Sequence, residues 1–96
     1  MQLASSKIEV LRELLAKPQS IVILSHTNPD GDAIGSSLAW AEILRKHGHE
    51  VTCIVPNRYP YYLEFMPDIA SMVIFKNDSE GRAKEALKRA DIIFCL

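Results

Sequence analysis

The sequence predicts an α/β protein with a doubly wound parallel sheet and helices on both faces of that sheet. Two observations support this fold class. Segments with helical periodicity alternate along the chain with short runs of apolar, often β-branched residues. These runs do not alternate polar with apolar side chains, which is typical of parallel strands that are buried on both faces. The intervening helices would supply the right-handed crossovers that parallel strands require.

The first half of the chain contains two predicted helices and two predicted strands. Ser6–Glu9 has the spacing of a capping box, so we expect a helix that begins there and ends before Pro18. A strand is predicted at 20–25, a helix at 33–47 and a second strand at 50–55. The apolar residues at helical spacing are Ile8, Leu11, Leu14 and Leu15 in the first helix and Ile34, Leu38, Ala41 and Leu44 in the second. Trp40 and Ile43 widen the apolar stripe of the second helix.

The second half begins with a proline-rich segment, 57–68, which we predict to be loop with a short helical turn at 61–65. A short strand is expected at 72–75, and Ser79 is the predicted cap of a third helix. The last strand is predicted at 91–96. The unbroken apolar run at 21–25 predicts that the first strand lies in the interior of the sheet, flanked by the strands at 50–55 and 91–96. The apolar residues of the third helix are Ala83, Ala86, Leu87 and Ala90.

The composition indicates one small globular domain of 96 residues, with 48% hydrophobic and 24% charged residues. Eleven basic and twelve acidic side chains give a net charge of −1, so the chain has no broad positive field. This argues against binding of long duplex nucleic acid through its backbone charge. A small phosphorylated ligand is compatible with the same charge balance.

No apolar run approaches the roughly 18 residues of a membrane span, and the first residues lack the features of a signal peptide. We therefore expect a cytoplasmic protein that does not contact membranes. Cys53 and Cys95 both lie inside apolar runs, and we predict that they are buried free thiols rather than a disulfide.

The segment SHTNPDGDAIGSS, from Ser25 to Ser37, places one histidine and two aspartates directly after the first strand. Ligands of open parallel sheets bind at the carboxyl ends of strands, so His26, Asp30 and Asp32 are candidate site residues. The alternative is a capped turn, in which residues 28–31 form the turn and Asp32 caps a helix that starts at 33. That alternative explains Asp32, and the helix dipole would also favour Asp30, but it leaves His26 and the excess of acidic residues unexplained.

The segment does not match a P-loop, a dinucleotide-binding fingerprint, an EF-hand or a hydrolase nucleophile elbow, because the necessary glycines, lysine or oxygen ligands are not at the necessary spacing. A metal site is the interpretation that survives. One imidazole and two carboxylates suit Mn²⁺, Co²⁺, Fe²⁺ or Zn²⁺ better than Ca²⁺.

The pattern His26-x-x-Pro29-Asp30-x-Asp32-x-x-Gly35-Ser36 resembles the first motif of the DHH phosphoesterase superfamily. This group includes RecJ-like exonucleases, oligoribonuclease/pAp phosphatases, cyclic-dinucleotide phosphodiesterases and exopolyphosphatase-like proteins. The resemblance covers nearly the whole chain. It implies that residues 1–96 are the N-terminal part of a DHH phosphoesterase domain, and that the remainder of that domain and a C-terminal substrate-binding domain lie outside this chain.

The resemblance also implies a two-metal centre with Mn²⁺, in which His26 and Asp30 bind one ion and Asp32 binds the other. The implied function is hydrolysis of phosphodiester or phosphomonoester bonds of short oligoribonucleotides or small nucleotides such as pAp, by a metal-activated water. The alternatives are exopolyphosphatase-like or cyclic-dinucleotide phosphodiesterase activity, or a non-catalytic nucleotide-binding domain. The expected partner is the nucleotide substrate, and the intact protein is expected to form a homodimer.

Three other features have simpler interpretations. His47 and His49 could form a metal pair, but a helix end with cationic residues in its last turn is the preferred interpretation. The segment 58–62, RYPYY, could stack on a base and hold a phosphate, although packing of a proline-rich loop is commoner for such aromatics. Trp40 is expected to belong to the core.

Overall fold

The computed structural model describes residues 5–26 and 29–96. Within these ranges, helices and strands follow one another in the order that the sequence predicted. The helices and strands are α1 (Ser5–Leu14), β1 (Ser20–Leu24), α2 (Gly31–Lys46), β2 (Glu50–Val55), β3 (Val73–Ile74), α3 (Arg82–Arg89) and β4 (Ile92–Cys95), and single 3₁₀ turns lie at Tyr61–Leu63, Ile69–Ser71 and Phe75–Asn77.

The four strands run parallel in one sheet, in the order β3-β2-β1-β4. β1 lies in the interior of the sheet, since Ile21 pairs with Val51 of β2 on one side and with Ile92 of β4 on the other. The residues Ile21, Val22 and Ile23 are each only 1% exposed, so both faces of β1 are covered. The prediction of an interior strand between the second and the last strands is confirmed.

Successive side chains of β1 point to opposite faces of the sheet, and each face packs against its own helix. Ile21 and Ile23 belong to a core that includes the buried apolar residues of α2. Val22 belongs to a second core, together with Ala83 and Ala86 of α3. Helices therefore cover both faces, and the predicted α/β class with a doubly wound parallel sheet is confirmed.

The order of the strands reverses at β1. From β1 the chain adds β2 and then β3 on one side, and afterwards returns to add β4 on the other side. In open parallel sheets such a reversal leaves a crevice outside the carboxyl ends of the strands, where ligands bind. The segment that follows β1 therefore begins at the position in this fold that is best suited to a ligand.

The start of α3 differs from the prediction. Ser79 was expected to cap this helix, but the Oδ2 atom of Asp78 accepts hydrogen bonds from the backbone N–H groups of Ala83 at 3.1 Å and Lys84 at 3.4 Å. Gly81 precedes the helix with φ = 72°, a left-handed conformation that glycine adopts without strain. The turn at Gly81 lets a carboxylate outside the helix reach its first N–H groups, so the prediction of Ser79 was wrong.

Helix α1 begins at Ser5, so Ser6 lies inside the helix and is not its cap as the capping-box spacing suggested. The apolar face predicted for this helix is covered only in part. Leu11 and Leu15 are half-buried, whereas Ile8 is 42% exposed. The periodicity of the sequence thus predicted the helix correctly but not how far its apolar side would be buried.

The two cysteines are free thiols, as predicted, but only Cys53 is buried. Cys95 is exposed because β4 is an edge strand, along which half-buried and exposed residues alternate. Burial raises the pKa of the Cys53 thiol, and the positive charge of Arg45 opposes this rise in part. Cys53 is therefore a protonated core residue near neutral pH.

Among the residues that the structure describes, no helix is both long enough and apolar enough to cross a membrane.

Candidate metal centre at the carboxyl edge of the sheet

The chain leaves the core of the sheet between Ser25 and His26. The backbone N–H of Ser25 donates to the carbonyl of Ile54 at 3.2 Å, so the pairing with β2 continues one residue beyond β1. Ser25 is buried and His26 is exposed. His26 is therefore placed at the carboxyl edge of the sheet. Thr27 and Asn28, of which Asn28 is the first residue of the predicted turn, lie outside the described residues.

The chain then passes through Pro29, which is fully buried, to Asp30. Asp30 has an extended backbone, with φ = −92° and ψ = −177°, and its Oδ1 atom accepts the backbone N–H of Ala33 at 2.9 Å. The N–H of Ile34 donates to the carbonyl of Asp30 at 3.0 Å, which is the first hydrogen bond of α2. Asp30 is thus the N-cap of this helix.

This cap corrects the expected start of α2. The sequence predicted a helix from Ala33, which Asp32 would cap in the capped-turn alternative, but the helix begins at Gly31 and Asp30 caps it. Asp32 is exposed in the first turn, where the helix dipole favours its negative charge by about 0.3–1 kcal/mol. Helix α2 is capped, but by the other aspartate, and Asp32 lies outside the cap.

Three residues that the sequence singled out, His26, Asp30 and Asp32, are all exposed at this edge of the sheet. In residues 5–26 and 29–96, no group of three or more histidine, cysteine or acidic side chains stands together as a ligand set for a metal ion. Metal binding by these three residues therefore stays a prediction. Their chemistry suits a divalent cation, since the cap uses one oxygen of Asp30 and the carboxylate has a second.

Gly35, the glycine of the motif, lies one turn after Asp32 on the same side of α2. A Cβ atom at this position would meet nothing within 4 Å in the structure. Glycine inside a helix is about 1 kcal/mol less favourable than alanine, so packing gives no reason for it here. The missing side chain leaves open the surface beside Asp32, at a helix end whose partial positive charge attracts phosphate.

The structure favours the helix-end interpretation of the two histidines over a metal pair. His49 is 5% exposed, and its Nδ1 atom accepts the backbone N–H of Gln19 at 3.1 Å. The Nδ1 atom of His47 lies 2.9 Å from the carbonyl oxygen of Ile43. Gly48 between them has φ = 90°, as the end of a helix requires.

The aromatic segment after β2 packs only in part. Tyr59 is buried, and the guanidinium of Arg58 lies 5.3 Å from the centroid of its ring and 3.1 Å from Oε1 of Glu64. Tyr61 and Tyr62 are 80% and 65% exposed, because the short 3₁₀ turn carries them on its outer side. The packing interpretation is confirmed for Tyr59 and wrong for the other two.

Trp40 is half-buried against the core on the α2 face of the sheet, as predicted. Its ring meets that of Phe94 edge to face, with the two centroids 5.5 Å apart. This contact joins α2 to the edge strand β4.

Residues 20–96 match the family model described as the DHH family, N-terminal domain. The structure is similar to the crystal structure of an exopolyphosphatase-related protein from Bacteroides fragilis, with a TM-score of 0.89 and 36% sequence identity. The match covers 97% of this chain and 27% of that protein, so the chain spans about a quarter of the length of the structure it resembles. No curated protein matches the chain.

Proposed function

This chain belongs to the DHH family, and from that premise we propose that it forms part of a phosphoesterase, a hydrolase of phosphodiester or phosphomonoester bonds. One observation carries the proposal. His26, Asp30 and Asp32 are exposed at the carboxyl edge of the interior strand, at the point where the order of the strands reverses. The substrates that we propose are short oligoribonucleotides or small nucleotides such as pAp.

The cofactor that we propose is Mn²⁺, with two ions in the intact protein. His26 and Asp30 would hold one ion and Asp32 the other. When bound, such ions would offset the charge of the phosphate and lower the pKa of a water molecule. The hydrogen bond from Ala33 orients the carboxylate of Asp30, and the N-terminus of α2 directs partial positive charge toward a phosphate at the same edge.

The chain covers 27% of the related exopolyphosphatase-related protein, and three ligands do not complete a two-metal centre. We therefore propose that residues 1–96 are the N-terminal part of a DHH domain whose other metal ligands come from the rest of the intact protein. The isolated chain is expected to bind Mn²⁺ weakly and to show little turnover.

The second candidate function is hydrolysis of polyphosphate. The observation in its favour is the 36% identity with a protein described as exopolyphosphatase-related. A polyphosphate has the same phosphate chemistry as a nucleotide but no base or sugar. The two candidates therefore predict the same metal-binding residues and differ in the substrate alone.

The test is an assay of the intact protein with Mn²⁺ on pAp, a short RNA, a cyclic dinucleotide, bis-(p-nitrophenyl) phosphate and polyphosphate. Asp32→Asn should reduce turnover about a hundredfold or more, because a neutral amide holds less cation charge near the transition state. Asp68→Asn is the matched control: Asp68 is also exposed, and asparagine tolerates its left-handed conformation at φ = 64°.

Each result of this assay has a defined meaning. Turnover that Asp32→Asn removes and Asp68→Asn preserves supports the proposed centre, and the substrate with the highest kcat/KM decides between nucleotides and polyphosphate. Full activity of Asp32→Asn would remove Asp32 from the mechanism. A protein that binds nucleotides but hydrolyses none of these substrates with Mn²⁺ would be a non-catalytic nucleotide-binding domain.

A further inference from the structure

An apolar cavity lies beside the candidate metal centre, on the opposite face of the sheet from α2. Its volume is about 260 Å³, and its walls are formed by Leu24, Ser25, Ile54, Pro56, Phe75 and Leu87. Leu24, Ile54 and Leu87 also belong to the core beneath α3, which places the cavity on the α3 face. The proposed metal chemistry gives no role to this cavity.

The cavity lies at the carboxyl ends of three neighbouring strands. Ser25 follows β1, Pro56 follows β2 and Phe75 follows β3. Ser25 is also bonded directly to His26, and the Cα atoms of consecutive residues are about 3.8 Å apart. A group inside the cavity would therefore be adjacent to a phosphate held near His26.

We propose that the cavity binds the nucleobase of a nucleotide substrate whose phosphate lies at the candidate metal centre. The ring of Phe75, 46% exposed at the cavity wall, would stack on the base. Pockets for whole ligands usually measure about 300–1,000 Å³, so 260 Å³ suits a single ring system. This inference rests on the proposed function, from which it selects nucleotides over polyphosphate.

Charged side chains next to the cavity are compatible with a nucleotide as the ligand. An adjoining cavity shares Phe75 and is also lined by Lys76 and Lys84, whose ammonium groups suit a second phosphate. Asp78 lies in the same wall, but its Oδ2 atom is engaged by the backbone N–H groups at the start of α3. A polyphosphate would find these charges but would have nothing to place in the apolar cavity.

The test measures binding rather than turnover, in the intact protein with EDTA present. Binding of AMP and of ribose 5-phosphate, which carries the same phosphate without the base, is compared by calorimetry and by NMR. AMP should bind more tightly and should shift the amide signals of Ser25, Phe75 and Leu87, whereas ribose 5-phosphate should not shift them.

Phe75→Ala should weaken AMP binding by about fivefold to a hundredfold, the usual effect of losing one stacked aromatic ring. Phe65→Ala is the matched control, because Phe65 is 78% exposed and lies outside the cavity. Leu87→Phe, which fills the cavity from α3, should also weaken AMP binding. Circular dichroism confirms the folding of each variant.

Equal binding of AMP and ribose 5-phosphate would overturn the inference, and so would unchanged AMP binding in both Phe75→Ala and Leu87→Phe. Because the measurement needs neither metal nor turnover, its outcome is independent of the hydrolysis assay. If the protein binds AMP at Phe75 but hydrolyses no substrate, the proposal of a phosphoesterase is refuted and the proposal of a base site is supported. An active phosphoesterase without this binding would refute the base site alone.

Discussion

The Oδ1 atom of Asp30 accepts the backbone N–H of Ala33 at 2.9 Å, so a residue proposed to bind metal also starts helix α2. The two roles require different properties of the side chain. Capping needs an acceptor oxygen at the right distance, whereas metal binding needs negative charge. Substitutions that keep one property and remove the other can therefore separate the roles.

We predict that Asp30→Ala lowers the free energy of unfolding by about 1 kcal/mol, the usual cost of losing an N-cap. In a domain of this size, such a loss lowers Tm by roughly 4–8 °C. Asp30→Asn should be within about 0.5 kcal/mol of wild type, because asparagine caps as well as aspartate. Urea denaturation measures both. If Asn destabilises as much as Ala, the charge and not the acceptor geometry determines the start of α2.

We predict that Mn²⁺ raises the Tm of the intact protein in a concentration-dependent way, since a ligand that binds the folded state stabilises it. The gain is about 2.7 kcal/mol at a hundred times Kd. Asp30→Asn and Asp32→Asn should each reduce this gain, and EDTA should abolish it. Thermal denaturation at graded Mn²⁺ measures the effect. An equal gain in wild type and both variants would mean that the metal binds elsewhere.

We predict that Gly35→Ala stabilises the fold by about 0.5–1 kcal/mol, because Gly35 lies in a helix and a Cβ atom there meets nothing within 4 Å. The same substitution should lower phosphoesterase activity if the open surface beside Asp32 admits the phosphate. Gly48→Ala is the matched control. It forces alanine into φ = 90° and should destabilise by about 1–2 kcal/mol. Higher stability with unchanged activity would show that the phosphate does not approach Gly35.

We predict that Cys53 makes the stability of the fold decrease at alkaline pH. Burial raises the pKa of its thiol above the ordinary value of 9.0, so the folded state holds the proton more strongly than the unfolded state does. The contribution is fully present below pH 9.0 and is lost as the pH rises through the higher pKa of the folded thiol. Urea denaturation at pH 7 and near pH 10 should show a smaller decrease for Cys53→Ala than for wild type.

The burial of Cys53 can also be tested by chemical modification of the two thiols. A thiol reagent at neutral pH should modify the exposed Cys95 rapidly and Cys53 only when the protein unfolds. Rapid modification of two thiols in the folded protein would contradict the burial of Cys53 and the pKa argument that depends on it.

The candidate site could be predicted from the sequence to the level of residue types but not of their local roles. The motif placed His26, Asp30 and Asp32 after a buried strand, and the structure puts all three at the carboxyl edge of the sheet. The capped-turn alternative named Asp32 as the cap of α2, whereas Asp30 caps it. Both lie at suitable spacing, and the choice depends on the extended backbone of Asp30 that follows the buried Pro29.

The sequence by itself determined the order of the helices and strands and the interior place of β1. Helical periodicity and unbroken apolar runs are properties of neighbouring residues, and a run such as Ile21–Leu24 is stable only where both faces are covered. The tertiary structure alone decided the place of β3 beside β2, the exposure of Cys95 and the cavity that joins Ser25 to Phe75. These three features depend on contacts between residues that are far apart in the chain. No local pattern in the sequence specifies such contacts, because they result from the packing of the whole sheet against its helices.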